Sequence, residues 1–353
     1  MNARPGTLVI LTPAFPAGEA ETHWVPTQQL FVKTLKSLYP GLDIRVLSFY
    51  YPYRQTRYEW QEIPVRAFDG TSRRKTGRPF FYRDVWQELK AIRQEADIVG
   101  LFSFWCGECA LIGHYFGKRY GIKHFCWLCG GDARASNRLV RFIRPRAEEL
   151  IAMSDFLVRE FEKNHGIRPA YMIPNGIDPG TFPPAPGTPR DIDILGVGSL
   201  SRLKRYDLFV EITRALRERF PGIRVVHCGE GEDKERILGM IRETGLENHF
   251  QLLGEKPHAE ALGLMQRAKV FLHTSDYEGF GIVCLEALYA GARVISFSKP
   301  LNKEVPHWQV ASGVAEMTRM AGEILAQPGL PFSPVLEHTM QDTVREVMGL
   351  FGQ

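Results

Sequence analysis

The sequence predicts an α/β chain of two domains, each a Rossmann-like parallel sheet covered by helices, and three observations carry that prediction. A chain of 353 residues is long for a single hydrophobic core, so division in two is the natural arrangement. From residue 192 onward, short apolar runs alternate with longer stretches of helical periodicity, the pattern of parallel strands joined by crossover helices. Between the halves, Pro179-Gly-Thr-Phe-Pro-Pro-Ala-Pro-Gly-Thr-Pro189 has the composition of a linker.

In the first half, the buried run Thr7 to Thr12 reads as a strand. A loop containing Gly18 and His23 follows, then a helix from Gln28 to Leu38 with Leu30, Phe31, Thr34 and Leu35 on one face. This is a Rossmann-like opening without a GxGxxG. Strands are expected at 43–49, 97–104 and 123–128, with a helix at 109–120 and an irregular aromatic and basic stretch after residue 49. Asn175-Gly176 is a turn. In the second half, strands are expected at 192–197, 223–228, 250–253, 270–273 and 293–297. Helices are expected at 206–220, 234–243, 258–268, 312–325 and 339–350, with a further one that opens after the glycine-rich turn at 278–281 and continues until Gly291.

Composition narrows the function classes. Hydrophobic content of 44% and charged content of 24% are ordinary for a globular protein and point away from disorder and from repeat arrays. No apolar run reaches the roughly 18 residues needed to span a bilayer, and Thr7 to Leu11 is too short for a secretory core, so a cytoplasmic location is expected. The net charge of +4 divides unevenly, at roughly +7 before residue 180 and roughly −3 after it. In the basic half, Arg54, Arg57, Arg73, Arg74, Lys75, Arg78 and Arg83 are interleaved with Tyr50, Tyr51, Tyr53, Tyr58, Trp60, Phe80, Phe81, Tyr82 and Trp86. Such a mixture suits an anionic acceptor or the inner face of a membrane, and equally a solvated loop with aromatic anchors. Nucleic acid is not an expected partner, because no recognised module accompanies the charge.

Cys106-Gly-Glu-Cys109 and Cys126-Trp-Leu-Cys129 have spacing inside the zinc range. The second pair lies along a buried strand, where residues three apart point to opposite faces about 10 Å apart, beyond shared coordination. Asp191-Ile-Asp193 is formally a DxD, but it begins a strand, which makes an ordinary surface pair the simpler reading. Gly229-Glu-Gly231 is a lone GxG.

The most informative stretch is Asp276-Tyr-Glu278-Gly279-Phe280-Gly281-Ile282-Val283-Cys-Leu-Glu286. It follows a short apolar strand and opens a helix, so Gly279 and Gly281 allow close backbone approach. The amides of Phe280, Gly281, Ile282 and Val283 are then ready for an anion. Glu286 in the second turn leans back toward whatever those amides hold, and Glu278 flanks the same point. A nucleotide sugar, with phosphate between hydroxyl-bearing ends, is a ligand of that form. Taken alone, both glutamates are equally explained as solvated or dipole-favoured side chains. Lys204, just past the strand 192–197, can place a charge on a diphosphate, although a lone lysine there is ordinarily solvated. Asp132, at the end of the strand 123–128, is either a ligand group or a cap before Ala133.

Glu278-Gly-Phe-Gly281 followed by Glu286 resembles the E-G-F-G-x-x-x-x-E signature of the retaining glycosyl transferases group 1 family. The resemblance implies a GT-B fold, two Rossmann-like domains facing across a cleft. It implies transfer of a sugar from a nucleotide diphosphate sugar to a glycan or lipid-linked acceptor, without a cofactor or metal. It assigns Glu278 to the donor sugar, the amides of Phe280 to Val283 to sugar and diphosphate, Glu286 to the ribose, Lys204 to the diphosphate, and Gly18 to donor contact through backbone. It also implies domains at 1–178 (acceptor) and 191–335 (donor), a linker at 179–190, and a C-terminal helix within 336–353 crossing back to the first domain. The chain departs from its relatives at two places. Cys129 stands where many have the histidine of H-G-x-D, which leaves Asp132 or His23 for the acceptor side, and Ser199 stands where an arginine is usual, with Arg202 or Arg205 nearby. Those departures motivate the alternatives of a non-catalytic nucleotide-sugar binding protein and, from the cysteines, a zinc-stabilised interaction module. Metal analysis of protein purified without a histidine tag is expected to find no stoichiometric zinc.

Overall fold

A computed structural model describes residues 6–22, 24–72, 77–184, 187 and 190–353. His23 and the basic residues Arg73, Arg74 and Lys75 lie outside the described residues. The chain divides into unit 1, Met1–Gly176 with Met340–Gln353, and unit 2, Ile177–Thr339. The C-terminal helix therefore belongs with the first half of the chain. Pro179–Thr181, inside the stretch with linker composition, forms a single 3-10 turn whose Asp178 side chain accepts from the Gly180 amide.

Unit 1 comprises β1 (Gly6–Ala14), α1 (Pro26–Leu38), β2 (Asp43–Tyr51), β3 (Thr56–Trp60), β4 (Ile63–Ala67), α2 (Arg78–Glu95), β5 (Asp97–Phe104), α3 (Glu108–Tyr120), β6 (His124–Leu128), α4 (Val140–Ile143), β7 (Leu150–Ala152), α5 (Asp155–His165) and β8 (Tyr171–Met172). The sheet order is β3-β4-β2-β1-β5-β6-β7-β8, parallel except for the β3–β4 hairpin.

The stretch expected to be irregular is instead this hairpin followed by the 18-residue helix α2. Phe81, Val85, Leu89 and Ile92 recur at helical spacing and are buried against Phe49, Phe68 and Phe116, and Tyr50, Tyr82 and Trp86 pack partly buried against that core. Arg57 pairs with Glu88 and Arg78 with Glu108, so these two charges are answered within the fold. Tyr53 and Phe80 remain exposed, with the Arg83 guanidinium 5.2 Å from the Phe80 ring.

Unit 2 comprises β9 (Ile192–Val197), α6 (Tyr206–Arg219), β10 (Val225–Cys228), α7 (Lys234–Glu243), β11 (Phe250–Leu252), α8 (His258–Arg267), β12 (Ala268–His273), α9 (Ile282–Tyr289), β13 (Arg293–Ser296), β14 (Trp308–Val310) and α10 (Val314–Leu325). Its sheet is wholly parallel in the order β11-β10-β9-β12-β13-β14. The order reverses between β9 and β12, and the crevice outside the carboxyl ends of such a pair is where open α/β sheets bind ligands. One face is sealed by α6, α7 and α10 through Phe209, Ile212, Leu216, Ile237, Ile241 and Met317.

The last helix, α11 (Met340–Phe351), packs on unit 1 through Val344, Val347, Met348 and Phe351. Phe351 meets Phe125 edge-on at 4.9 Å, and a Cβ at Gly100 on β5 would lie 2.1 Å from the Phe351 ring. Only glycine admits that ring. Gly100→Ala is expected to destabilise the protein by about 1–3 kcal/mol. The Gly100→Ala, Phe351→Ala double variant is expected to lose less than the sum of the singles in urea denaturation.

Candidate functional site

The residues singled out after β9 and β12, Lys204 and Glu278, come together at the reversal point of the unit 2 sheet. The chain leaves β9 through Gly198, makes a 3-10 turn at Arg202–Lys204, and enters α6 after Arg205 in the left-handed region. The neighbouring strand β12 ends at His273, and its continuation is stitched to that turn. Thr274 Oγ1 donates to the Lys204 carbonyl at 2.8 Å, and Ser275 Oγ and the Asp276 amide both donate to the Leu203 carbonyl at 3.2 Å. Lys204 is thereby set against Glu278, Nζ to Oε2 2.7 Å, and His273 Nε2 lies 3.0 Å from the same oxygen.

The electrostatics follow from this arrangement. Burial raises the Glu278 pKa, but the His273 hydrogen bond and the Lys204 charge outweigh it and bring the group down to about 2. Glu278 is therefore a carboxylate at any physiological pH.

Helix α9 begins at Gly281, whose φ of 76° is left-handed and suits glycine. Among the described residues, the amides of Phe280, Gly281, Ile282 and Val283 meet no acceptor, as expected at a helix start. Phe280 itself is buried and anchors the turn. One turn further on, Glu286 Oε1 is 2.7 Å from Nε2 of His258, the first residue of α8. The bond to Glu286 raises the His258 pKa above its usual value, against the opposing effect of burial.

The loop around Lys204 has a second support that explains the lone GxG. A Cβ at Gly229 would lie 2.0 Å from the Gly198 carbonyl oxygen, and one at Gly231 would lie 2.2 Å from that of Leu200. Both glycines serve close backbone approach. Of the arginines near Ser199, Arg205 is held by Asp207 and Asp276, the latter at 2.9 Å. Arg202 is exposed and has no ion pair among the described residues.

The two unit 1 candidates differ in character. Asp132 is buried, and its carboxylate accepts from the amides of Cys106 at 2.9 Å, Gly130 at 2.8 Å and Cys129 at 3.1 Å. Its pKa is raised by burial despite those bonds. That geometry makes it the organiser of the Cys129–Ala133 loop. Cys129 is a neutral thiol, its pKa pushed up by burial, and it donates to the Trp127 carbonyl. Gly18 lies in a loop ordered by Glu21, which accepts from the Ala17 amide and the Tyr51 hydroxyl. A Cβ at Gly18 would meet nothing within 4 Å, so no steric demand for glycine exists there.

Among the described residues, no group of three or more His, Cys, Asp or Glu is arranged to hold a metal ion. Asp191 pairs with Arg267 and Asp193 with Lys269, so the DxD is a surface pair. His258 and His273 were not singled out from the sequence, because nothing local marks a histidine whose partner lies in another element.

Residues 183–313 match the glycosyl transferases group 1 family, and residues 31–181 match glycosyltransferase family 4. A 178-residue segment is 28% identical to the glycogen synthase of Mycobacterium tuberculosis, covering 49% of this chain and 43% of that protein. A 195-residue segment is 31% identical to the D-inositol 3-phosphate glycosyltransferase of Corynebacterium urealyticum, covering 48% and 46%. The matches thus span less than half the length of these curated relatives. The sucrose-phosphate synthase of Thermosynechococcus elongatus superposes with a TM-score of 0.69 at 16% identity, covering 98% of this chain and 95% of that one, a likeness of fold.

The depressed pKa of Glu278 has a consequence for stability. Because the folded value lies below the usual 4.5, the contribution is fully present above that pH and is lost as pH falls toward about 2. It amounts to on the order of 3 kcal/mol. Glu278→Gln is expected to flatten the pH dependence of unfolding free energy across that acid window, read by urea denaturation.

Proposed function

We propose that the chain, which has the GT-B fold and matches the glycosyl transferases group 1 model over residues 183–313, is a member of that family and moves a hexosyl group from a nucleoside diphosphate sugar to an acceptor hydroxyl with retention of configuration. The observation that carries the proposal is the meeting, 2.7 Å apart, of Lys204 and Glu278 from the loops that follow adjacent strands, beside helix amides that meet no acceptor among the described residues.

Each group has a part in this reading. The amides of Phe280 to Val283 and the Lys204 ammonium receive the diphosphate and stabilise the charge that grows as it leaves. Lys204 then exchanges Glu278 for phosphate oxygen, while His273 keeps the carboxylate in place to accept from donor sugar hydroxyls. Glu286 accepts from the ribose. The ammonium and the helix amides supply the positive charge that a divalent cation would otherwise bring, so turnover survives chelation. Arg202 is the nearest candidate for the arginine that Ser199 replaces.

In this reading unit 1 takes the acceptor, a glycan or a lipid-linked acceptor, and its exposed Tyr53, Phe80 and Phe142 are suited to peripheral contact with a cytoplasmic membrane face. Among the described residues, no helix is long and apolar enough to cross a membrane.

A thermal-shift screen over uridine, guanosine and adenosine diphosphate sugars identifies the donor, since a bound donor stabilises the fold by mass action. With that donor, Lys204→Ala and Glu278→Ala are each expected to lower donor turnover by roughly a hundredfold or more, with circular dichroism unchanged. Turnover at the wild-type rate in both variants removes the assignment. Tight donor binding with neither hydrolysis nor transfer returns the chain to the binding-only alternative.

A further inference from the structure

His258 reaches Glu286 from a different element. It is the first residue of α8, which packs against α9, while Glu286 sits in the second turn of α9. The bond between them is 2.7 Å long and engages Oε1 only. Among the described residues, the carboxylate makes no other side-chain hydrogen bond, so Oε2 keeps its full accepting capacity. Glu286 is 14% exposed at the side chain, enough for one approach and too little for free rotation, whereas His258 is 35% exposed.

We infer that His258 is a positioning residue for nucleotide recognition: by occupying one oxygen of Glu286, it aims the other at a ribose hydroxyl and so sets how strongly the site selects a ribonucleoside over a 2′-deoxyribonucleoside. This rests on the proposed nucleotide-sugar reading of the α9 turn. The physical reason is entropic. An unrestrained glutamate on a helix surface must give up rotamer freedom when it accepts from a ligand, and a carboxylate already ordered by His258 has lost that freedom beforehand.

The charged groups around the pair are themselves paired, Lys204 with Glu278 among them. On the His258 side, Lys256 and Glu260 lie 3.9 Å apart and pair with one another. On β9 and β12, which α8 also packs against, Asp193 and Lys269 pair at 2.7 Å, and Arg267 at the far end of α8 is held by Asp191. On α9 itself, the Cys284 thiol is kept neutral by burial. Glu286 is thus the charge that answers to His258, and protonation of His258 strengthens the restraint.

The test uses the full chain and two probes: whichever of UDP, GDP and ADP stabilises it most, and the 2′-deoxy form of that nucleotide, with both dissociation constants measured by calorimetry. The wild type is expected to prefer the ribonucleotide by roughly tenfold, the value of one hydrogen bond. Glu286→Ala and His258→Ala are each expected to bring the ratio to about one. His258→Gln, which keeps an N–H donor, should retain most of the preference. The wild-type preference should weaken as pH rises through the raised His258 titration, and the His258→Gln preference should stay level. A His258→Ala protein that keeps the tenfold preference while Glu286→Ala loses it overturns the inference and leaves the ribose reading standing. If Glu286→Ala keeps the preference, or the wild type shows none, the ribose reading itself fails and the inference goes with it. Loss of the preference in His258→Gln with unchanged melting temperature also counts against positioning through the N–H.

Discussion

The site in unit 2 depends on one buried electrostatic compromise, the Glu278 carboxylate held between the Lys204 ammonium and the His273 imidazole. A carboxylate at this depth gains nothing from its surroundings unless cations and donors face it, and a paired buried charge is weak evidence for stability by itself. In the proposed function its meaning lies in exchange. Both Lys204 and Glu278 keep about a fifth of their side-chain surface exposed, so an incoming anion can draw the lysine away without unfolding anything. His273, almost fully buried on β12, stays behind to satisfy the carboxylate. The cost of separating the ion pair is thereby divided between the ligand and a fixed protein group.

That compromise can exist only because of the order of strands. Lys204 and Glu278 are separated by 74 residues, yet β9 and β12 are neighbours in the sheet, and both chains exit at carboxyl ends. The hydrogen bonds from Thr274, Ser275 and Asp276 to the carbonyls of Leu203 and Lys204 then fix the register of one exit against the other. Gly229 and Gly231 let a third loop close against Gly198 and Leu200 from the β10 side. A site assembled from three strand ends has little freedom to drift, which is what preorganisation requires.

How much of this was legible beforehand follows from the range of the interactions involved. Gly281 and the amides after it are properties of one short segment, so strand, turn and helix start could be read from the order of residues. The alternation in the second half likewise placed β9 to β13 and α6 to α10 with small errors at their ends. Helix α2 was obscured because its apolar stripe, Phe81 to Ile92, is embedded in arginines and tyrosines whose partners, such as Glu88 and Glu108, become apparent only in the fold. The loop-organising bonds of Asp132 were hidden for a related reason. A carboxylate at a strand end looks the same in sequence whether it faces a ligand or, as here, turns inward onto the amides of its own loop and of Cys106.

The two histidines separate the signature glutamates into different physical classes. Glu278 is paired with a histidine that is 4% exposed and with a lysine, so its charge is fixed and its position rigid over the range in which an enzyme works. Glu286 has a single partner, and that partner is 35% exposed and titrates above its usual range. A group meant to hold reacting atoms benefits from the first environment, because any variation there is variation in rate. A group that recognises the distal part of a ligand tolerates the second, where variation alters affinity alone. The same motif thus contains one carboxylate insulated from solution conditions and one left responsive to them, and the difference comes from residues outside the motif.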